Sequence, residues 1–474
     1  MLDEEGNLIT SAKGVESISI KQYNKVLENR PMREKHKELK DAKEELCEKR
    51  VKSAQENKTD PWTKEELDIV LKFLKKKKSR DPNGFPNELF RTEIAGEDLK
   101  DALLILMNRI KEEQVFPELL EHCTISSIFK KGKVGCNNFD NYRGIFRVSI
   151  FRSILDRLIF NDYYGVIDEY LTDCNVGGRR GRNIRDNMFV LNAIANNVIK
   201  GDGEACDIAA YDAEKCFDAL WAQEFINDMW DAGCRDDKLS LLHKENKTAQ
   251  CVIKNPSGNS KPVSMNNLIM QGGVMGSIYC TNTMDKLGKI VFDDKKLLYK
   301  YKGTEVPCLQ MVDDILTATK CDATAITMNT VVNTFIETKK LTLSHKKCSV
   351  IHVGKKCNQC PKLKVHGKEI NKAESLTYLG EIVHESGKNK YNLIEKRAKA
   401  CAIFAEIRAI LEDVPLGKYR IQVGLQLRQA MFVNGVLFNS EVWHGLNSTD
   451  LTMLSVVDNQ ILRYIIKAQA KTPT

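Results

Sequence analysis

The sequence predicts an α+β protein, and three stretches carry that expectation. Cys308–Leu316 sets two adjacent carboxylates, Asp313 and Asp314, between two short apolar runs. That is the pattern of a β-hairpin with both acids at its tip. Asp207–Asp218 passes from a short apolar strand into a turn. Leu220, Trp221, Phe225, Ile226, Met229 and Trp230 then recur at helical spacing, with Gly233 as the stop. Near the C-terminus, Ile394, Ala398, Cys401, Phe404, Ile407 and Leu411 share one helical face, and Leu451, Leu454, Val457, Ile461 and Ile465 share another.

The acidic stretches point to chemistry. Neighbouring strand residues face opposite ways, so Asp313 and Asp314 reach one site only if a turn lies between strands. Two carboxylates held together repel unless a cation sits beside them. A hard divalent ion with oxygen ligands, magnesium first, answers that need. An acidic turn in water is the plain alternative. Asp212 stands where a strand gives way to a turn, so a second acidic strand end could join the first. Together they could hold a pair of ions about 4 Å apart, the arrangement that serves phosphoryl transfer.

Composition bounds the rest. The net charge of +8 is compatible with a nucleic-acid partner. The fifteen cysteines are scattered, with Cys357 and Cys360 the close pair. No second pair stands at zinc spacing, so free thiols in a reducing, intracellular setting (nucleus or cytoplasm) are expected. No apolar run is long enough to span a membrane and Met1 begins no secretory leader, so no membrane partner is expected.

In chain order, residues 1–60 read as a charged extension, helical or disordered, with Glu34–Arg50 a solvated helix. Order begins near Pro61. Thr63–Glu66 is a capping box, and Leu67, Val70, Leu71 and Leu74 form one apolar face. Asp81–Pro86, with Gly84, is a turn-rich loop. Thr124–Phe129 reads as a strand, Lys130–Lys133 as a basic turn and Asn141–Ile145 as the start of the next strand. Ile150–Tyr170 is apolar at helical spacing. Gly177–Arg182 is a basic, glycine-rich loop able to approach phosphates through Arg179 and Arg182, or a linker. Gln271–Ser277 brings adjacent glycines, which allow close approach to a ligand, before a helix over 278–287. A helix over 325–339, a Lys346–Lys347 pair and Leu376–Gly380 follow.

Taken in this order, the motifs resemble the reverse transcriptase of a non-LTR (LINE-type) retrotransposon. Asp212 to Asp218 resembles the first palm motif, an Asp followed five positions later by an aromatic. Met311–Asp314 resembles the xxDD hairpin. The likeness runs from about residue 61 to the end and implies a right-hand polymerase architecture. Residues 61–205 would be the N-terminal loop and fingers, 206–385 the palm with some fingers elements, and 386–474 a helical thumb. It implies that Asp212, Asp313 and Asp314 hold two magnesium ions, or manganese in their place, and that Lys347 protonates the leaving pyrophosphate. Lys130 and Arg143 would meet the incoming triphosphate, a role that suits fixed cations and a planar guanidinium. Ala213 would lend its carbonyl, Phe217 would exclude a 2′-hydroxyl, and Gln271 and Gly272 would lie against the nucleotide. Gly84, Arg179, Arg182, Met311, Tyr378, Leu379 and Gly380 would contact primer or template. The partners implied are an RNA template, a DNA primer or nicked target DNA, and deoxynucleoside triphosphates.

The sequence departs from the family at Gly276, where Ser is usual, at Ser277, where Pro is usual, and at Met311, where an aromatic is more common. A decayed or repurposed copy that binds RNA without polymerising is therefore a second reading. An RNA-dependent RNA polymerase is a third, and it would want a small residue at Phe217. No endonuclease, ribonuclease H or retroviral-type protease motif is found, so the chain looks like one fragment of a longer element.

Overall fold

A computed structural model of the chain describes residues 1–3, 5–27, 34–130, 134–138, 141–201, 205–214, 216–248, 250–255, 258–264, 273–320, 323–354 and 362–468. They form two compact units, each drawn from several segments of the chain. Met1–Arg179, Ala213–Lys289 and Phe335–Thr342 make the first; Arg180–Asp212, Ile290–Thr334 and Leu343–Thr474 make the second.

The first unit is built around a five-stranded sheet. Its strand His122–Phe129 runs antiparallel to Tyr142–Val148 and parallel to Gln250–Asn255. Cys123, Ile125, Phe146, Cys251 and Ile253 form the buried face, closed by Tyr23 from helix Ala12–Leu27. The capping box is present as read: Thr63 and Glu66 cap helix Lys64–Lys72, and Leu67, Val70 and Leu71 are buried. The helix expected over 34–50 forms as Glu34–Glu56; its outer face is exposed as read, but an inner face is packed. Cys47 and Ala54 are fully buried. Its cations have partners on helix Ala222–Asp231: Lys43 pairs with Glu224, and Arg50 Nη2 lies 2.7 Å from Asp231. Those acids are so distant in sequence that the local pattern looks unpaired.

The second unit carries another five-stranded sheet, in the order Asn371–Lys372, Ser349–Val353, Cys206–Asp212, Asp314–Lys320, Leu309–Met311. The 206–212 strand is central and antiparallel to both neighbours. Helix Ile184–Ile199, capped by Asn183, lays Met188, Leu191, Ile194 and Val198 against Ile208, Leu316 and Ile351. Polar hydrogen bonds fix this layer too, since Asn187 Nδ2 donates to the Gln310 carbonyl at 2.8 Å.

Helices Lys390–Leu411, Lys418–Leu427 and Ser448–Ile465 complete the second unit around a core that includes Leu393, Ile403, Phe432, Leu454 and Ile461. The face expected on the first of these is partly displaced. Ile407 and Leu411 are buried as read, but Ile394, Ala398 and Cys401 are exposed, and Asn392, Leu393, Lys396, Ala400 and Ile403 are buried. Two polar side chains in the inward stripe account for the misreading. In the first turn of helix Lys418–Leu427, Arg420 is almost wholly buried and has carbonyls as its partners. It donates to Leu411, Val414, Tyr464 and Ile465, closing the C-terminal ends of two helices.

Candidate active site

The second unit brings four of the expected residues together. Asp314 is the direct cross-strand partner of Asp212, so both side chains leave the same face of the sheet. Met311 pairs with Asp314, which leaves Val312 and Asp313 as a two-residue loop. Val312 has φ of +59°, a left-handed conformation that a β-branched residue adopts only under constraint. The tight loop imposes it, and the result is a hairpin tip bearing two carboxylates. Asp207 and His352, buried partners on adjacent strands, join at 3.0 Å further along the same sheet.

Lys347 reaches this tip by a short turn. Ser344 N–H donates to the Asp212 carbonyl at 2.8 Å, and Lys347 N–H donates to Ser344 O at 2.9 Å. The turn sets Lys347 Nζ to donate to both Asp212 carboxylate oxygens, at 3.1 and 2.8 Å. The balance remains negative. Burial first, then Asp314 and Asp212, push the Asp313 carboxyl up to about 6, against the opposing pull of its own backbone and Lys347. Asp314 is exposed at its outer edge, yet desolvation of the rest of its carboxyl, then Asp212, raise it too, again opposed by Lys347.

Among the described residues, no three His, Cys, Asp or Glu side chains are drawn close enough to grip a metal ion as they stand. The donor chemistry nonetheless fits a hard divalent cation. Three carboxylates share one strand end and one hairpin tip, two are held above their ordinary range by mutual repulsion and burial, and a single ammonium opposes them.

The primer-side candidates are in the same unit. Leu379 and Gly380, at φ of +48° and +80°, form the two-residue turn between Ser375–Tyr378 and Glu381–His384. Tyr378 is buried, and its hydroxyl donates to the Leu309 carbonyl at 3.2 Å, linking this hairpin to the strand that ends at Met311. Sequence reasoning missed what holds the hairpin from behind. Glu381 is buried, ion-pairs with Lys396 at 2.8 Å, and accepts hydrogen bonds from Trp443 Nε1 at 3.0 Å and from Asn392. No motif signals these residues, because a lone Glu after Leu-Gly looks like surface.

The first unit holds the other candidates. Lys130 is half-buried, and its N–H donates to Asn141 O at 2.8 Å, closing the 122–129/142–148 hairpin. Arg143 is exposed on that hairpin, opposite Ile128. Ala213 is buried, and Phe217 is half-buried on the short helix Cys216–Ala219. Gly84 turns at φ of +90° in a loop pinned by Asp81, which accepts from Phe85 N at 2.7 Å and Ile150 N at 3.0 Å. Arg179 corrects the expectation of a phosphate contact. Its guanidinium is buried, 2.7 Å from Asp168, and also donates to carbonyls of its own loop. Arg182, in the second unit, is exposed. Gln271, Gly272, Cys357 and Cys360 lie outside the described residues.

Residues 130–383, more than half the chain, match the profile of the reverse transcriptase (RNA-dependent DNA polymerase) family. The chain belongs to that family. The fold class is thus the one expected, the α+β fold of reverse transcriptases, in the right-hand polymerase class. Among solved structures, the chain is similar to apo telomerase from Candida tropicalis truncated of its C-terminal domain. Identity there is 15%, TM-score 0.39, with 57% of this chain and 54% of that one covered. Another structure of apo telomerase from Candida tropicalis gives 12% identity and TM-score 0.41, covering 78% of this chain and 67% of that one. Candida albicans telomerase in complex with a telomeric RNA fragment gives 12%, TM-score 0.40, 81% and 64%. This reverse transcriptase chain therefore spans about half to two thirds of the length of those proteins. No helix among its described residues is long and apolar enough to cross a membrane.

Proposed function

We propose that this chain is the RNA-directed DNA polymerase of a non-LTR, LINE-type retrotransposon, extending a DNA primer or nicked target strand on an RNA template. One observation carries the reading: Asp212 stands opposite Asp314 on adjoining strands, Asp313 shares the hairpin tip, and Lys347 is held on Asp212. In this reading residues 61–205 serve as N-terminal loop and fingers, 206–385 as palm and 386–474 as thumb.

The three aspartates would hold the divalent ions, which when bound lower the cost of charge on the attacking and leaving oxygens. The chain's own residues do the rest. The Val312–Asp313 turn fixes where the carboxylates point. Met311 and the Leu379–Gly380 turn offer an apolar and a backbone surface to the primer end. Lys347, an exposed ammonium beside Asp212, is placed to give a proton to the departing pyrophosphate. Arg143 and Lys130 offer cations to the triphosphate, and Phe217 sits five residues after Asp212, where a ring excludes a 2′-hydroxyl. Positioning and fixed charge supply most of the rate in such transfers.

Primer extension on an RNA template tests this. The wild type is expected to give magnesium-dependent product with deoxynucleotides, and Asp313→Asn to lose at least about a thousandfold in rate. Ribonucleotide incorporation is expected to rise in Phe217→Ala. Absence of wild-type product with tight RNA binding retained favours a repurposed RNA-binding protein instead.

A further inference from the structure

A cluster in the first unit has no part in the chemistry above. Helix Ile150–Tyr170 places Arg152 and Asp156 one turn apart, and both are buried. Glu245, buried on helix Asp237–Thr248, ion-pairs with Arg152. Burial, then Glu245, raise Asp156 well above the carboxylate range, against the pull of Arg152 and Arg157. A proton held on Asp156 lowers the charge this cluster must bury.

The cluster lines a cavity of about 30 Å³, and Gly273, Val274, Met275 and Gly276 line it too. That is room enough for an ordered water. Arg152, one of the residues lining the cavity, has its Nη1 buried with no protein acceptor. The far wall is the turn that enters helix Gly276–Asp293. Tyr279, on its first turn, donates to Met275 Sδ at 2.9 Å and packs its ring, tilted by 40°, on Phe225 at 3.7 Å between centroids.

We propose that this cavity is a water site, and that Arg152, Asp156 and Glu245 act through it as positioning residues seating the Gly273–Gly276 turn. The bound water accepts from Arg152 Nη1 and bridges the acid pair to the turn. The functional consequence rests on the polymerase reading, in which the glycine segment lies against nucleotide and template.

Amide hydrogen exchange of the peptide spanning 273–280, measured on the full chain without substrate, tests the seat. Asp156→Asn keeps a neutral donor and acceptor and is expected to exchange within about twofold of wild type. Asp156→Leu is expected to exchange about tenfold faster, with KM for the nucleotide raised and kcat little changed. Should Asp156→Leu lose its melting transition, Val274→Leu serves. Its extra bulk displaces the water, and faster exchange at 273–280 is expected. Unchanged exchange in Asp156→Leu, or slower exchange in Val274→Leu, overturns the proposal, the latter marking an empty packing defect. Because exchange needs no turnover, a chain that fails to polymerise sinks the functional reading without touching this one.

Discussion

At the level of single residues, the site is a repulsion held in place. Asp313 is lifted to about 6 by burial and by its acidic neighbours, so at neutral pH its charge costs folding energy. The folded state binds its proton more tightly than the unfolded chain, so ionisation opposes folding as pH rises from the ordinary carboxylate value through 6. Asp313→Asn is therefore expected to be more stable than wild type in EDTA at pH 7.5, by about 2 kcal/mol. Urea unfolding measures it, and equal midpoints would show that neither burial nor the neighbouring acids penalise this charge. In the proposed reading the same substitution is expected to cost extension, so stability and activity would move in opposite directions. Much of this was legible beforehand. Two acids between apolar runs demand a tip, and a strand-end Asp demands a partner. Lys347 was legible only as a family role, and its ion pair with Asp212 was not, since it depends on a turn at Ser344 that no pattern signals.

Among the elements, buried polar groups decide what sequence pattern misjudged. The 390–411 helix turns Asn392 and Lys396 inward because Glu381 is there to receive them, and the apolar count slipped to a neighbouring face. Arg420 is the sharper case: its donors meet helix-end carbonyls with no carboxylate present among their hydrogen-bond acceptors. Arg420→Met keeps the stem and strands those carbonyls, so a loss of about 3 kcal/mol is expected in chemical denaturation. A loss below about 1 kcal/mol would mean that water replaces the guanidinium freely. The 34–56 helix carries a pH signature. Cys47 meets His243 Nδ1 at 3.7 Å, and burial, followed by Lys247 among nearby charges, lowers the His243 pKa. The unfolded chain takes up this proton near 6.5 and the folded one resists it. His243 thus supports the fold fully above that pH and withdraws support as pH falls through its lowered value. Melting temperature should drop less between pH 7 and 5 in His243→Gln than in wild type.

For the molecule entire, a surplus of eight positive charges accompanies a site that is locally acidic. If a nucleic-acid duplex is the partner, its affinity is carried by phosphate contacts and must fall with salt. Anisotropy titration with an RNA–DNA duplex is expected to show binding weaker by about a hundredfold or more between 50 and 200 mM salt. A flat response would remove the duplex as partner. The fold class and the order of elements were readable because strands and helices alternate in short apolar runs. The division into two units was not, because each is assembled from segments far apart in the chain. That interleaving bears on how the protein is made. Cys206–Asp212 finds its neighbours only in Asp314–Lys320 and Ser349–Val353, and His122–Phe129 waits for Gln250–Asn255. While translation proceeds, the central strand leaves the ribosome with both edges bare, and stays so until about a hundred further residues have emerged. A nascent chain in that condition is an open invitation to chaperones, and slowing elongation after residue 212 would prolong its exposure.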